Sequence, residues 1–130
     1  MVRFAHPRLT REIIGAFFDV YNELEYGLPE QVYRAAMHIV LLERGFHSEP
    51  EVKLEVHFHG HLVGSYRADI IVEDKVILEL KAGATLPAGS KAQLLTYLRI
   101  ARREVGLLLF FGPSPEFTRV VASRHRSDEH

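Results

Sequence analysis

Hydrophobic residues along the chain follow first a helical and then a strand period. From Thr10 to Glu25, the residues Ile13, Ile14, Phe17, Phe18, Tyr21 and Leu24 recur at helical spacing, and Gly27 stands where such a helix would end. Pro29, favoured in a first helical turn, predicts a second helix running to Arg44 before Gly45, with Val32, Ala36, Ile39, Val40 and Leu41 as apolar positions. The period then drops to two. Val52, Leu54, Val56 and Phe58 alternate with polar residues after Glu51, Gly60 turns the chain, and Leu62 to Val72 and Val76 to Ala82 complete an antiparallel meander. Gly83 to Gly89, with Pro87 inside it, reads as a loose connection. A third helix is predicted from Ser90 to Arg103, with Leu94, Leu95, Leu98 and Ala101 on its buried side. Val105 to Phe111 is apolar throughout and stops at Gly112-Pro113, the mark of a strand covered on both faces. Phe117 to Ala122 adds an edge strand. The expected fold is an α/β sandwich with a mixed sheet flanked by helices, one domain over residues 1–122, followed by a polar tail over 123–130.

The hairpin between the second and third strands concentrates charge. A three-residue loop, Glu73-Asp74-Lys75, would pair Val72 with Val76, set Asp69 opposite Glu79 and Arg67 opposite Lys81, and place these four on one face. The other face then reads Ala68, Ile70, Val72, Val76, Leu78 and Leu80, which is core. A one-residue slip would bury the polar set. The loop lacks the glycine that favours a left-handed position, so Asp74 has to serve there. Two carboxylates facing each other across a strand pair repel by roughly 0.2–1 kcal/mol. Either Arg67 and Lys81 neutralise them as a surface salt-bridge cluster, or a divalent cation does, since Mg²⁺ is typically held by one or two carboxylates plus substrate phosphates.

Composition narrows the choice without deciding it. The 130 residues are 47% hydrophobic and 25% charged, with a formal net charge of −1, which gives no global basic field of the kind that marks many nucleic-acid binders. Binding to nucleic acid would need a local patch or metal ions. The sequence has no cysteine, so disulfides and cysteine-ligated zinc or iron–sulfur clusters are excluded. No apolar run reaches the roughly 18 residues of a membrane span, and no signal peptide is seen, so a cytoplasmic protein that does not enter a membrane is expected.

Four motifs in order now resemble a known family. Asp69 followed by Glu79-Leu80-Lys81 is similar to the catalytic signature of the PD-(D/E)XK nuclease superfamily, whose core order is αβββαβ. Gly27-Leu28-Pro29-Glu30-Gln31-Val32-Tyr33 reads GxxExxY, the motif that names one bacterial family within it. Gln93-Leu94-Leu95-Thr96-Tyr97 resembles the QxxxY of branches like lambda exonuclease and the RecB nuclease domain, and Tyr66-Arg67-Ala68-Asp69 adds a fourth piece. The likeness runs from about Thr10 to Phe111. It implies a restriction-endonuclease-like αβββαβ core with an extra N-terminal helix. It also implies a metal-dependent nuclease, with DNA favoured over RNA. In that reading Glu30, Asp69 and Glu79, with the Leu80 carbonyl, bind Mg²⁺ or Mn²⁺, and Lys81 orients or deprotonates the attacking water or stabilises charge on the phosphorane. Tyr33, Arg67, Gln93 and Tyr97 would contact substrate, and a homo-oligomer or protein partner would supply specificity.

Plainer readings stand beside these. Glu30 is also a carboxylate favoured by a helix N-terminus, Tyr33 is also a packing residue, and Ser90-Lys91-Ala92-Gln93 is also a capping box. His57, His59 and His61 surround the Gly60 turn as a solvated hairpin tip. Arg99, Arg102 and Arg103 gather at a helix end, where cations suit the dipole; they would equally suit a nucleic-acid groove. The competing function is a nuclease fold retained as a nucleic-acid-binding or assembly module without turnover, and a third is an unrelated α/β domain with a salt-bridged hairpin.

Overall fold

A computed structural model describes residues 5–122; the expected tail over 123–130 lies outside them. Two helices, α1 (Pro7–Leu24) and α2 (Glu30–Glu43), precede strands β1 (Ser48–Phe58), β2 (His61–Val72) and β3 (Val76–Ala82). Helix α3 (Ser90–Ala101) then leads to β4 (Val105–Phe111) and β5 (Pro115–Val121). The strands form one sheet in the order β1-β2-β3-β4-β5. Only β3 and β4 run parallel, joined by α3 as the crossover that a parallel pair requires. The mixed sheet flanked by helices, with an additional N-terminal helix, is the restriction-endonuclease-like arrangement. No helix among the described residues is long and apolar enough to cross a membrane.

The turns follow local chemistry. His59 and Gly60, both at positive φ, close the two-residue turn between the paired Phe58 and His61. At the β2–β3 loop the expected pairing of Val72 with Val76 is present, but Glu73 as well as Asp74 is left-handed, at φ 54° and 55°. Compensating bonds hold this loop. The His47 N–H donates to the Glu73 carboxylate at 2.6 Å, and Arg103 reaches Asp74 at 2.6 Å.

Both faces of β3 and β4 are buried, because helices cover these strands on either side. Under α1 and α2 lie Phe17, Tyr33, Met37 and Leu41 with Ile70, Val72, Leu78, Leu80 and Phe111. Under α3, Leu94, Tyr97 and Leu98 pack on Ala68, Ile71, Ile77 and Leu108. Ala68 therefore does not share the core of Ile70 as strict alternation predicts. No backbone pair joins Glu51 to Asp69, between the pairs Pro50–Ile70 and Val52–Ala68, and Glu51 sits at φ 53°.

Four helix expectations are corrected. The buried stripe of α2 is Tyr33, Met37 and Leu41, while Val32 and Ile39 face solvent. Leu95 of α3 is likewise exposed, and that helix stops at Ala101 because Arg102 turns left-handed as its C-cap. Gly89, not Ser90, is the N-cap of α3, so the capping box does not form; the Ser90 hydroxyl donates to the Pro87 carbonyl at 2.7 Å instead.

Candidate functional site

The site opens where β2 leaves β3. The two strands pair only from Val72–Val76 to Ile70–Leu78. Asp69 and Glu79 are the next residue on each strand, just past the last pair. The expected backbone opposition of Asp69 and Glu79, and of Arg67 and Lys81, is not made. Asp69 crosses the opening with its side chain, and its Oδ2 accepts the Leu80 N–H at 2.7 Å. Arg67 stays with β1, paired with Lys53, and its exposed guanidinium lies 3.3 Å from Glu51. The divergence of the strands thus removes Arg67 from the side of Lys81.

Glu79 is buried at 5% exposure, which a carboxylate rarely is without pairing. Its Oε2 lies 3.5 Å from Lys81 Nζ, while Oε1 is buried without a hydrogen-bond partner. Burial first, and the charge of Asp69 second, push the Glu79 carboxyl up to about 8. Burial also raises Asp69, against the lowering effects of the Leu80 N–H, Arg34 and Lys81. Glu30 is raised by burial and by Asp69, and held back by Lys81 and Arg34. Burial is the largest cause in all three; the charge of Asp69 adds to the rise at Glu79 and Glu30, and Lys81 opposes each shift.

Packing explains how residues so distant in sequence meet. Glu30 is the first residue of α2, whose Tyr33 stacks on Phe111 with ring centroids 4.1 Å apart. Phe111 pairs with Ala82, one residue beyond Lys81, so the start of α2 is fixed at that level of the sheet. From the other face, α3 supplies Gln93 and Tyr97, which hydrogen-bond one turn apart, and Tyr97 is raised by burial and then by the charges of Glu79 and Asp69. Tyr97 is buried among Leu94, Leu98 and Ala68, while Gln93 one turn earlier is exposed, so the i, i+4 spacing does not give the two side chains the same surroundings.

Tyr33 itself does not face the opening. It is completely buried, its hydroxyl donates to the Glu25 carbonyl, and it accepts the Leu28 N–H at 3.1 Å. Its place is in the α1–α2 connection. Sequence reasoning overlooked Arg34, whose Nη1 lies 3.4 Å from Asp69 Oδ1 and whose Nη2 lies 3.9 Å from Glu51. The available signal was its position four residues after Glu30, on the same helical face.

A family model described as the PD-(D/E)XK nuclease superfamily matches residues 7–120. The chain belongs to that superfamily. No curated protein is matched. Three solved chains are matched, among them the crystal structure of SSO0001, at 23% identity and a TM-score of 0.59, over 76% of this chain and 53% of that one. The chain thus spans about half the length of that structure, and the likeness is one of fold.

Members of the PD-(D/E)XK superfamily generally use divalent metals, and the donors here suit one. Asp69 and Glu79 offer hard oxygens, and the partnerless Oε1 of buried Glu79 lacks the positive or donating neighbour that such an atom needs. Among the described residues no three His, Asp or Glu side chains stand close enough together to hold an ion. The fit therefore rests on the Asp69–Glu79 pair. Glu30 is near enough to perturb them electrostatically without completing a three-carboxylate cage, and Leu80 contributes its peptide beside them while its side chain is buried.

Proposed function

We propose that this PD-(D/E)XK protein is a nuclease that hydrolyses phosphodiester bonds of nucleic acid, DNA in preference to RNA, with Mg²⁺ or Mn²⁺ bound by Asp69 and Glu79. The observation that carries this reading is the buried, partnerless oxygen of Glu79 beside a second carboxylate and a lysine. An ion held there supplies Lewis-acid polarisation of the phosphoryl group and a more acidic bound water. The residues of the chain do the rest. The Leu80 N–H fixes one oxygen of Asp69, and the other rests against Arg34. Lys81 places a compact positive charge beside Glu79, suited to a point contact with a phosphoryl oxygen or the attacking water. Gln93 and Tyr97 wall the opening from the α3 side and steer Lys81 or the phosphate. Glu30 is the outer carboxylate, drawn in when cation and substrate are both present. A second copy or a protein partner supplies specificity, and the setting is cytoplasmic.

The second reading, a binding or assembly module without turnover, is favoured by one contact, the Arg34 guanidinium already resting on Asp69. Cleavage separates the two. Labelled single- and double-stranded DNA and RNA are incubated with Mg²⁺, Mn²⁺ or EDTA, using the wild type, Glu79→Gln and Lys81→Ala. Metal-dependent cutting by the wild type alone, DNA ahead of RNA, is the expected result. Binding without cutting by all three proteins would give the case to the module.

A further inference from the structure

Arg34 combines three properties that a plain structural ion pair does not need. Its contacts with Asp69 and Glu51, at 3.4 and 3.9 Å, are long for a guanidinium on a carboxylate, where charge-assisted bonds close to roughly 2.7–2.9 Å. Its side chain is 22% exposed at the mouth of the opening, so it is neither sealed in the core nor free in solvent. Glu51, which shares it with Arg67, sits at φ 53° inside a strand, a costly backbone for a residue that is not glycine. The strained residue is the one that anchors both arginines.

The geometry points to Arg34 as a phosphate-binding residue, resting on Asp69 until a divalent ion takes that oxygen and then turning, still tethered by Glu51, to a backbone phosphate of the nucleic acid. This rests on the nuclease reading. An ion bound by Asp69 and Glu79 repels a guanidinium from Asp69 Oδ1, and the long contacts mean little hydrogen bonding is lost as it leaves. A guanidinium always carries its charge and presents a planar fork matched to phosphate. Arg67, 3.3 Å from the same Glu51 oxygen, would then extend the cationic track along β2 away from the cut.

The test uses a fluorescein-labelled DNA duplex and its single strand, with Ca²⁺ as an oxygen-seeking divalent ion. Binding is followed by anisotropy across a salt series for wild type, Arg34→Gln and Arg34→Lys, and Mn²⁺ binding of each protein is measured by calorimetry without nucleic acid. The expected result is a salt slope lower by about one in Arg34→Gln and unchanged in Arg34→Lys. Mn²⁺ should bind Arg34→Gln at least as tightly as wild type, since a competing cation has been removed. An unchanged slope in Arg34→Gln overturns the proposal while leaving the nuclease reading intact, and so does loss of Mn²⁺ binding in that variant, which would make Arg34 a support of the site. Wild type that binds Mn²⁺ but neither form of DNA overturns the nuclease reading on DNA and this proposal with it.

Discussion

Glu79 carries the sharpest conflict in the molecule. A carboxyl held at about 8 when folded and near its ordinary 4.5 when unfolded binds its proton more tightly in the native state. Its contribution to stability is therefore complete below about pH 4.5 and is lost as pH rises through about 8. Glutamine imitates the protonated acid. In EDTA, Glu79→Gln should unfold in urea at a higher concentration than wild type at about pH 9, and the gap should close by about pH 5. An equal gap at both pH values would show that Glu79 is ionised throughout. Tyr33 makes the opposite case, a motif residue whose work is internal. Tyr33→Phe strands the Leu28 N–H and the Glu25 carbonyl and should cost about 1–3 kcal/mol. Mn²⁺ affinity should stay within about twofold of wild type, and calorimetry of the folded variant checks it; a larger change would place Tyr33 in the site after all. At this scale the sequence was legible where local turn chemistry decides, as with the left-handed Asp74. It was not legible for Tyr33 or Arg34, because which face of α2 turns inward depends on the stack with Phe111, a contact across 78 positions of sequence.

Elements were easier to read than their contacts. Among the described residues, period and punctuation located every helix and strand, and β4 to the residue, since an unbroken apolar run between Glu104 and Gly112 has one interpretation. The register of β2 on β3 was readable near the loop, where Val72 must meet Val76. It was unreadable past Ile70, because divergence of two strands is a property of the twisted sheet and of what packs on it. Gly106 shows how close that packing is. A Cβ there would lie 2.9 Å from a methyl of Leu94 on α3 and 3.0 Å from the Ile77 carbonyl on β3. Gly106→Ala should push α3 off the sheet and destabilise the protein by about 1–3 kcal/mol, measured by urea unfolding. Because α3 also carries Gln93 and Tyr97, cleavage should fall by more than the small loss of folded protein accounts for. Full activity in the folded variant would show that α3 does not set the geometry of the opening.

For the whole molecule, the sheet is a frame with one deliberate gap. Helices α1 and α2 cover one face and α3 the other, and the opening between β2 and β3 receives Glu30 and Arg34 from the first side and Tyr97 from the second. Such a frame gathers acidic groups whose burial disfavours ionisation, and the proposed ion would offset that cost. At about a hundred times its dissociation constant, an ion that binds only the native state stabilises it by about 2.7 kcal/mol, on the order of 10 °C in Tm for a domain of this size. Mn²⁺ should produce that rise in wild type and none in Asp69→Asn with Glu79→Gln; equal rises would move the ion elsewhere. The most direct measurement is calorimetric titration of Mn²⁺ into the wild-type protein at neutral pH in two buffers of different ionisation enthalpy. One ion bound per chain with release of close to one proton is predicted, because Glu79 must give up its proton to coordinate. Binding with no proton release, or no binding at all, would contradict a metal centre built on Glu79.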